Sequence, residues 1–137
     1  MKSPEELNRI GQGYLPGFFG IELLSVAEKE LRSRLEVRAE HLAPNGFLHA
    51  ATVIALADST CGYGTIANLP DGAQGFTTIE LSTNFVGTAR EGAITCEANP
   101  VHLGRSTQVW DARVQEEKSG KPIAHFRCTQ IIIWEKK

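Results

Sequence analysis

One carboxylate stands in a long stretch of small and apolar residues, and its position indicates chemistry. Residues 49–69 carry a single formal charge, that of Asp58. Burying a carboxylate is costly unless a partner compensates the charge. None of the residues one helical turn away is basic or a strong donor; they are Ile54, Ala55, Cys61 and Gly62. Asp58 therefore has either a partner elsewhere in the fold or a function, and burial is expected to raise its pKa.

The beginning of the same predicted helix, near His49 and Ala50, offers a second chemical group. Such a position has free backbone N–H groups and the positive end of the helix dipole. An acyl oxygen placed at the Ala50 N–H would be stabilised as negative charge develops on it. Asp58 could then act as the general base toward water, or as the nucleophile that forms a mixed anhydride. Together the two groups are suited to the hydrolysis of a thioester.

The spacing of these two groups predicts a site shared between two chains. Eight residues of helix separate Ala50 from Asp58, about 12 Å at roughly 1.5 Å per residue. Both groups would have to act within about 3 Å of one acyl carbon, which a single helix cannot provide. Two antiparallel helices related by a two-fold axis would place Ala50 of one chain beside Asp58 of the other. We therefore expect a homodimer with two sites.

Composition and charge argue against several classes of protein. The 137 residues suffice for one domain with a core, so residues 1–137 are assigned to a single domain. The net charge is −2 with acids and bases interspersed, which provides no basic stripe for nucleic acid. The first residues lack a signal-peptide pattern, and the polar groups within residues 49–69 make a poor membrane span. Three cysteines without a CxxC pair favour reduced thiols in a cytoplasmic protein, and no histidine spacing is typical of a metal site.

Capping signals, turn residues and hydrophobic alternation predict an α+β fold. Ser3 and Pro4 begin a helix within residues 1–14, the N-terminal helix and lead-in, and Leu15-Pro16-Gly17 is predicted to be a turn. Apolar residues suggest six strands, at residues 21–27, 31–37, 76–85, 93–103, 107–115 and 122–134. The isoleucines at 131–133 indicate burial on both faces of the last strand. An antiparallel sheet of about six strands is expected to curl around one long helix, residues 49–69, and to bury it on most sides.

Two short segments carry a resemblance to a known family. Gly46-Phe47-Leu48-His49 precedes the predicted helix, and Leu56-Ala57-Asp58 places an acid nine residues after the histidine. This pattern resembles the hot-dog-fold acyl-CoA thioesterases of the phenylacetate-degradation and 4-hydroxybenzoyl-CoA thioesterase type, whose signature is N-x-x-G-x-x-H-G-G followed by Asp or Glu. The resemblance covers residues 15–135. Ala50-Ala51 replaces the family's Gly-Gly, and Asn45 directly precedes Gly46, closer than in the family.

The resemblance implies an enzyme that hydrolyses an acyl- or aryl-CoA thioester to the free acid and CoA. It assigns catalysis to Asp58, as base or nucleophile, and to the Ala50 N–H. His49 and Asn45 would assist at the thioester carbonyl. Contacts with the substrate or its CoA are further implied for Gly46, Phe47, Thr60, Asn84, Arg90, Gly104, Arg105 and Ser106. No metal or cofactor is implied beyond the CoA of the substrate, and a homodimer or a dimer of dimers is expected.

Other interpretations of the same residues stay open at the level of sequence. Asp58 could be a structural acid, His49 could only cap the helix, and Thr60 could be a packing residue. The protein could also be a hot-dog hydratase or dehydratase acting on enoyl or hydroxyacyl thioesters, or a domain that binds acyl-CoA without catalysis. The sequence does not identify the acyl group.

Overall fold

Six antiparallel strands and one long helix form the frame of the computed structural model, which describes residues 1–136. The helices are α1 (Pro4–Gly11), α2 (Leu15–Phe19) and α3 (Ala50–Ala67), with a short 3-10 turn at Ala39–His41. The strands are β1 (Glu22–Ala27), β2 (Glu30–Glu36), β3 (Ala73–Phe85), β4 (Ala93–Leu103), β5 (Thr107–Glu116) and β6 (Pro122–Trp134). The predicted α+β architecture is confirmed. The turn predicted at residues 15–17 is instead the start of α2, because proline is tolerated in the first turn of a helix.

The order of the strands explains how the long helix comes to lie across the sheet. The strands are arranged β1-β2-β4-β5-β6-β3, so β1 and β3 form the two edges. After β2 the chain forms α3 and β3, and it then returns from the β3 edge to place β4 beside β2. As a result α3 contacts all six strands. The segments before α3 and after β3 meet, where the Leu48 N–H donates to Thr88 Oγ1 at 3.3 Å.

One side of α3 packs against the sheet, and the opposite side stays open. The residues that face the sheet are almost completely buried and include Val53, Leu56, Ala57 and Cys61. Gly64 allows α3 to lie close to the Trp110 ring on β5, since a Cβ at position 64 would lie 2.6 Å from a ring atom of Trp110. The opposite side, here called the α3 stripe, is exposed or only partly buried and consists of Ala51, Ile54, Ala55, Asp58, Ser59, Gly62 and Ile66. A single chain thus leaves uncovered a stripe of the helix that the sequence predicts to be buried.

Apolar side chains are also exposed along the β3 edge and near the end of β6. Ile79 is 58% exposed and Leu81 is 40% exposed. On β6, Ile132 is buried, but Ile131 and Ile133 are 38% and 41% exposed, so the predicted burial of both faces is wrong for a single chain. An edge strand with exposed apolar side chains is suited to association with another chain.

Short-range signals give the expected structure at the N-terminus. The Glu6 N–H donates to Ser3 Oγ at 3.2 Å, so the predicted helix start at Ser3 and Pro4 is confirmed. Cys61, Cys96 and Cys128 are buried and free. Among residues 1–136, no helix combines the length and the apolar character needed to cross a membrane.

Candidate active site

Asp58 lies on the α3 stripe, in the wall of a small cavity. The cavity has a volume of about 190 Å³, and its other lining residues are Pro16, Ser59, Gly62, Tyr63, Ile66, Phe76, Thr78 and Gln130. One carboxylate oxygen of Asp58, Oδ1, is buried and has no hydrogen-bond partner within residues 1–136. Burial raises the pKa of Asp58 above the ordinary value of a carboxyl group. This carboxylate is therefore a candidate for acid–base or nucleophilic chemistry.

The start of α3 is exposed, and His49 organises its backbone N–H groups. His49 is the N-cap residue, and its Nδ1 accepts from the Ala51 N–H at 2.9 Å. The Thr52 N–H donates to the carbonyl oxygen of His49 at 3.0 Å. The Ala50 N–H has no acceptor within the described part of the chain. His49 therefore caps the helix, and it leaves the Ala50 N–H available to a ligand.

The loop before α3 contains Asn45, Gly46 and Phe47, and it contacts Arg90 through the Phe47 ring. Asn45 Oδ1 accepts from the Phe47 N–H at 3.1 Å, and Gly46 has a φ of 86°. Glycine adopts this left-handed conformation without steric cost. The Arg90 guanidinium lies 4.3 Å from the centroid of the Phe47 ring. Asn45 thus shapes the loop, and Arg90 adds a positive charge near the start of α3.

The turn between β4 and β5 holds a second exposed arginine. The Arg105 guanidinium lies 4.2 Å from the centroid of the Trp134 ring, and Trp134 Nε1 donates to the Arg105 carbonyl oxygen at 3.0 Å. The Ser106 carbonyl oxygen accepts from a β6 N–H at 2.8 Å. Gly104 has no room for a side chain, since a Cβ would lie 2.5 Å from His102 Nε2. These contacts hold the turn against β6 and present its positive charge to solvent.

Thr60 and Asn84, which the sequence analysis assigns to the site, do not line the cavity of Asp58. Thr60 is completely buried, and its hydroxyl is 2.6 Å from Ser33 Oγ and donates to the Leu56 carbonyl oxygen at 2.7 Å. The Thr60 hydroxyl is therefore engaged in packing contacts within this chain, and its expected contact with substrate stays a prediction. Asn84 lines a groove of about 610 Å³ together with Glu97, and Asp58 is not among the residues that line this groove.

Thr78 and Gln130 are cavity residues that the sequence reasoning missed. They lie opposite each other on β3 and β6, and the Thr78 hydroxyl donates to Gln130 Oε1 at 2.6 Å. Gln130 alternates along β6 with Cys128 and Ile132, which are both buried. This two-residue period was a usable signal that Gln130 points inward. No signal in the sequence pairs it with Thr78, because the register between β3 and β6 is a long-range property.

The side chains of the site suit organic acid–base chemistry. Within residues 1–136, no three His, Cys, Asp or Glu side chains come together in a group that could hold a metal ion. The available groups are a desolvated carboxylate, a free helix N-terminus and exposed arginines. Such a set can polarise a carbonyl, activate a nucleophile and attract an anionic ligand.

Comparison with known proteins identifies the family. The family model described as Thioesterase superfamily matches residues 45–123, more than half of the chain. A 1,4-dihydroxy-2-naphthoyl-CoA hydrolase from Escherichia coli (strain K12) is 31% identical over 131 residues, which cover 94% of this chain and 93% of that protein. A hydrolase of the same name from Listeria monocytogenes is 29% identical and covers 86% of this chain and 94% of that protein. The crystal structure of a mutant thioesterase from Pseudomonas aeruginosa has a TM-score of 0.91 at 26% identity, over 97% of this chain and 95% of that chain.

The chain belongs to the thioesterase superfamily and has the hot-dog fold. It is a thioester hydrolase, so the family expected from the segments around His49 and Asp58 is confirmed. The family match includes the start of α3, Asp58 and the turn at Arg105, but it ends before Gln130.

Proposed function

We propose that the protein hydrolyses an aromatic acyl-CoA thioester at a site shared by two copies of the chain. The observation that carries this proposal is the buried, unpartnered Oδ1 of Asp58, on a helix face that a single chain leaves open. Two relatives, each named a 1,4-dihydroxy-2-naphthoyl-CoA hydrolase, support an aromatic acyl group. They also favour hydrolysis over the hydratase reaction and over binding without catalysis.

In the proposed reaction the thioester carbonyl oxygen accepts a hydrogen bond from the Ala50 N–H. The positive end of the α3 dipole stabilises the negative charge that develops on this oxygen. Asp58 then acts on the acyl carbon in one of two ways. As a general base it removes a proton from an attacking water, and as a nucleophile it forms a mixed anhydride that water hydrolyses. Both routes need Asp58 in its charged form.

Exposed apolar surface supports the pairing of two chains. Ala50 and Asp58 are about 12 Å apart along one helix at 1.5 Å per residue, too far to act on the same acyl carbon. Two antiparallel α3 helices would cover the α3 stripe and place Ala50 of each chain near Asp58 of the other. The exposed Ile79 and Leu81 on the β3 edge offer further apolar surface for this association. A dimer of dimers stays a prediction.

Arg90 and Arg105 are assigned to the CoA part of the substrate. CoA carries phosphate groups, and guanidinium groups bind phosphate through charge-assisted hydrogen bonds. Arg105 is held in place by Trp134, and Arg90 lies against Phe47 near the start of α3. Preorganised positive charges of this kind also raise the rate at which an anionic substrate associates.

An Ala50→Pro substitution tests the proposed carbonyl contact. It removes one N–H, while proline is favoured at the first position of a helix. His49 has a ψ of 135°, a conformation that is compatible with a following proline. We expect kcat to fall about 100- to 1,000-fold, as for loss of other oxyanion donors. Circular dichroism of the variant should match that of the wild type.

Complementation between Ala50→Pro and Asp58→Asn chains tests whether the site is shared. Refolding an equimolar mixture gives about half heterodimers, each with one site that holds both native groups and one that holds neither. The mixture should therefore recover about one quarter of wild-type activity, although each variant alone is nearly inactive. A site built within one chain predicts no recovery, and that result would refute the shared site.

A panel of thioesters tests the chemistry and the acyl group. Release of free CoA thiol is followed with aryl-, short-, medium- and long-chain acyl-CoA substrates, and the aryl thioester should have the highest kcat/KM. Crotonyl-CoA serves as the probe for the hydratase alternative, because hydration removes the enoyl absorbance without releasing thiol. Loss of that absorbance without thiol release would contradict the proposed hydrolysis.

A further inference from the structure

Gln130 is a buried polar residue whose amide is only half satisfied. Its side chain is completely buried in β6. Oε1 accepts from the Thr78 hydroxyl at 2.6 Å. Nε2 is buried and has no hydrogen-bond partner within residues 1–136. Buried donors are nearly always paired in folded proteins, so an unpaired one calls for a ligand or a water molecule.

A second unpaired atom of opposite polarity lies in the wall of the same cavity. Gln130 and Asp58 both line the cavity of about 190 Å³, and Asp58 Oδ1 is the buried acceptor that has no partner. A cavity needs only about 10–15 Å³ of accessible volume and at least two polar partners to hold a water molecule. One water could accept a hydrogen bond from Gln130 Nε2 and donate one to Asp58 Oδ1.

A neighbouring glutamine, Gln108, has both ends of its amide paired and provides a comparison. Gln108 lies opposite Gln130 on β5 and is also almost completely buried. Its Nε2 donates to the Asn68 carbonyl oxygen at 2.9 Å, and its Oε1 accepts from Trp110 Nε1 at 2.9 Å. The two side chains differ in that Gln108 has a structural partner at each end, whereas Gln130 has an unpaired donor and lines the same cavity as Asp58.

We propose that the Gln130 amide positions the hydrolytic water for Asp58. The inference rests on the proposed thioesterase function and selects its general-base route. The water oxygen forms the new C–O bond with the acyl carbon, and one water proton passes to Asp58. The C–S bond breaks and its electron pair leaves on the CoA sulfur. The proton held by Asp58 then passes to that thiolate, so the products are the acid and CoA thiol.

A Gln130→Met variant tests this role, because methionine is close to glutamine in shape and has no amide. We expect kcat for hydrolysis to fall about 10- to 100-fold, as for loss of a hydrogen bond that orients a reacting group. KM should stay within about twofold, since the substrate itself does not contact Gln130. Gln108→Met is the matched control, and its kcat per folded molecule should be unchanged even if its melting temperature falls.

Hydroxylamine separates the positioning of water from a general loss of structure. It attacks thioesters directly, gives a hydroxamate and free CoA, and does not depend on a water held by Gln130. With hydroxylamine present, the ratio of hydroxamate to free acid should rise about tenfold in Gln130→Met, after subtraction of the uncatalysed reaction. An unchanged ratio with both rates lowered would show a structural role and overturn the inference.

A second pair of variants keeps the test decisive if Gln130→Met does not fold. Thr78→Val removes the hydroxyl that orients the amide, whereas Thr78→Ser keeps it. Thr78→Val should lower the rate of hydrolysis and raise the hydroxamate ratio, and Thr78→Ser should behave as the wild type. Equal behaviour of the two variants would refute the inference.

The same assays distinguish failure of this inference from failure of the proposed function. If the wild type releases no thiol from any member of the acyl-CoA panel, the proposed function fails and the inference fails with it. If the wild type is active and folded Gln130→Met keeps its kcat within twofold, only the role of Gln130 is refuted.

Discussion

Asp58→Asn should lower activity and raise stability, two effects of opposite sign from one nearly isosteric change. The carboxylate is desolvated, and its Oδ1 has no partner within residues 1–136. The charge is needed for catalysis in both proposed routes, but it opposes folding, because burial disfavours the ionised form. A carboxylate that served only the fold would be paired, and its loss would destabilise the protein.

The pH dependence of stability shows whether the charge of Asp58 stabilises or destabilises the folded protein. Burial raises the pKa of Asp58 above its value in the unfolded chain, so between these two pKa values the folded protein binds more protons. The free energy of unfolding therefore falls as pH rises through this window. Above the folded-state pKa the carboxylate is charged in both states, and the full destabilisation is present there.

The changes in stability and in kcat expected for Asp58→Asn are large enough to measure. Replacing the desolvated charge by a neutral amide should raise the free energy of unfolding by about 1 kcal/mol, because the amide costs less to bury than the carboxylate. For a domain of this size that is a rise of about 3–5 °C in melting temperature. Loss of the base or nucleophile should lower kcat about 100- to 10,000-fold.

Thiol release and thermal unfolding are measured on the same preparations at neutral pH. Asp111→Asn is the matched control, because Asp111 forms an exposed ion pair with Arg127, with an oxygen–nitrogen distance of 2.8 Å in one of its two contacts. Exposed pairs contribute little, so this variant should change stability by less than about 1 kcal/mol and leave kcat unchanged. A melting temperature that falls in Asp58→Asn, together with thiol release within a few-fold of wild type, would refute the reasoning.

Three further predictions concern the pH profile, the CoA contact and the packing of α3. The rate constant kcat/KM should rise with pH through the raised pKa of Asp58 and then level off. A pH–rate profile measures this change, and a profile that falls over the same range would contradict a catalytic role for the charged form of Asp58. Arg105→Ala should raise KM about fivefold with kcat unchanged, since one exposed phosphate contact contributes about 1 kcal/mol. Gly64→Ala should destabilise the protein by about 1–3 kcal/mol in urea unfolding, because a Cβ would lie 2.6 Å from Trp110. At Gly75 a Cβ would meet nothing within 4 Å, so Gly75→Ala is the control and should have a smaller effect.

Local patterns in the sequence predicted much of the fold. Ser3 and Pro4 mark the first helix because capping depends on residues three or four positions apart. The six strands follow from apolar alternation, and the long helix follows from a stretch of small and apolar residues with a single charge. The candidate roles of Asp58 and Ala50 also follow from the sequence, because a lone charge and a helix start are local features.

The outcome at Thr60 and Gln130 depends on contacts between distant segments. Thr60 lies two residues after Asp58, but its side of α3 faces the sheet and its hydroxyl meets Ser33. Gln130 lies 72 positions after Asp58 in the sequence, yet the two residues line one cavity. Helical direction and strand register decide both placements, and neither is encoded within a short window of sequence.

The amino-acid sequence by itself determined the order of the elements, the family signature and the presence of an acid that has no partner within its own helix. Only the tertiary structure decided which side of α3 stays open, which polar groups surround Asp58, and which apolar residues of β3 and β6 remain exposed. The physical reason is that hydrophobic periodicity specifies whether a side chain points toward a core. The identity of the groups that meet there is set by long-range packing and strand pairing.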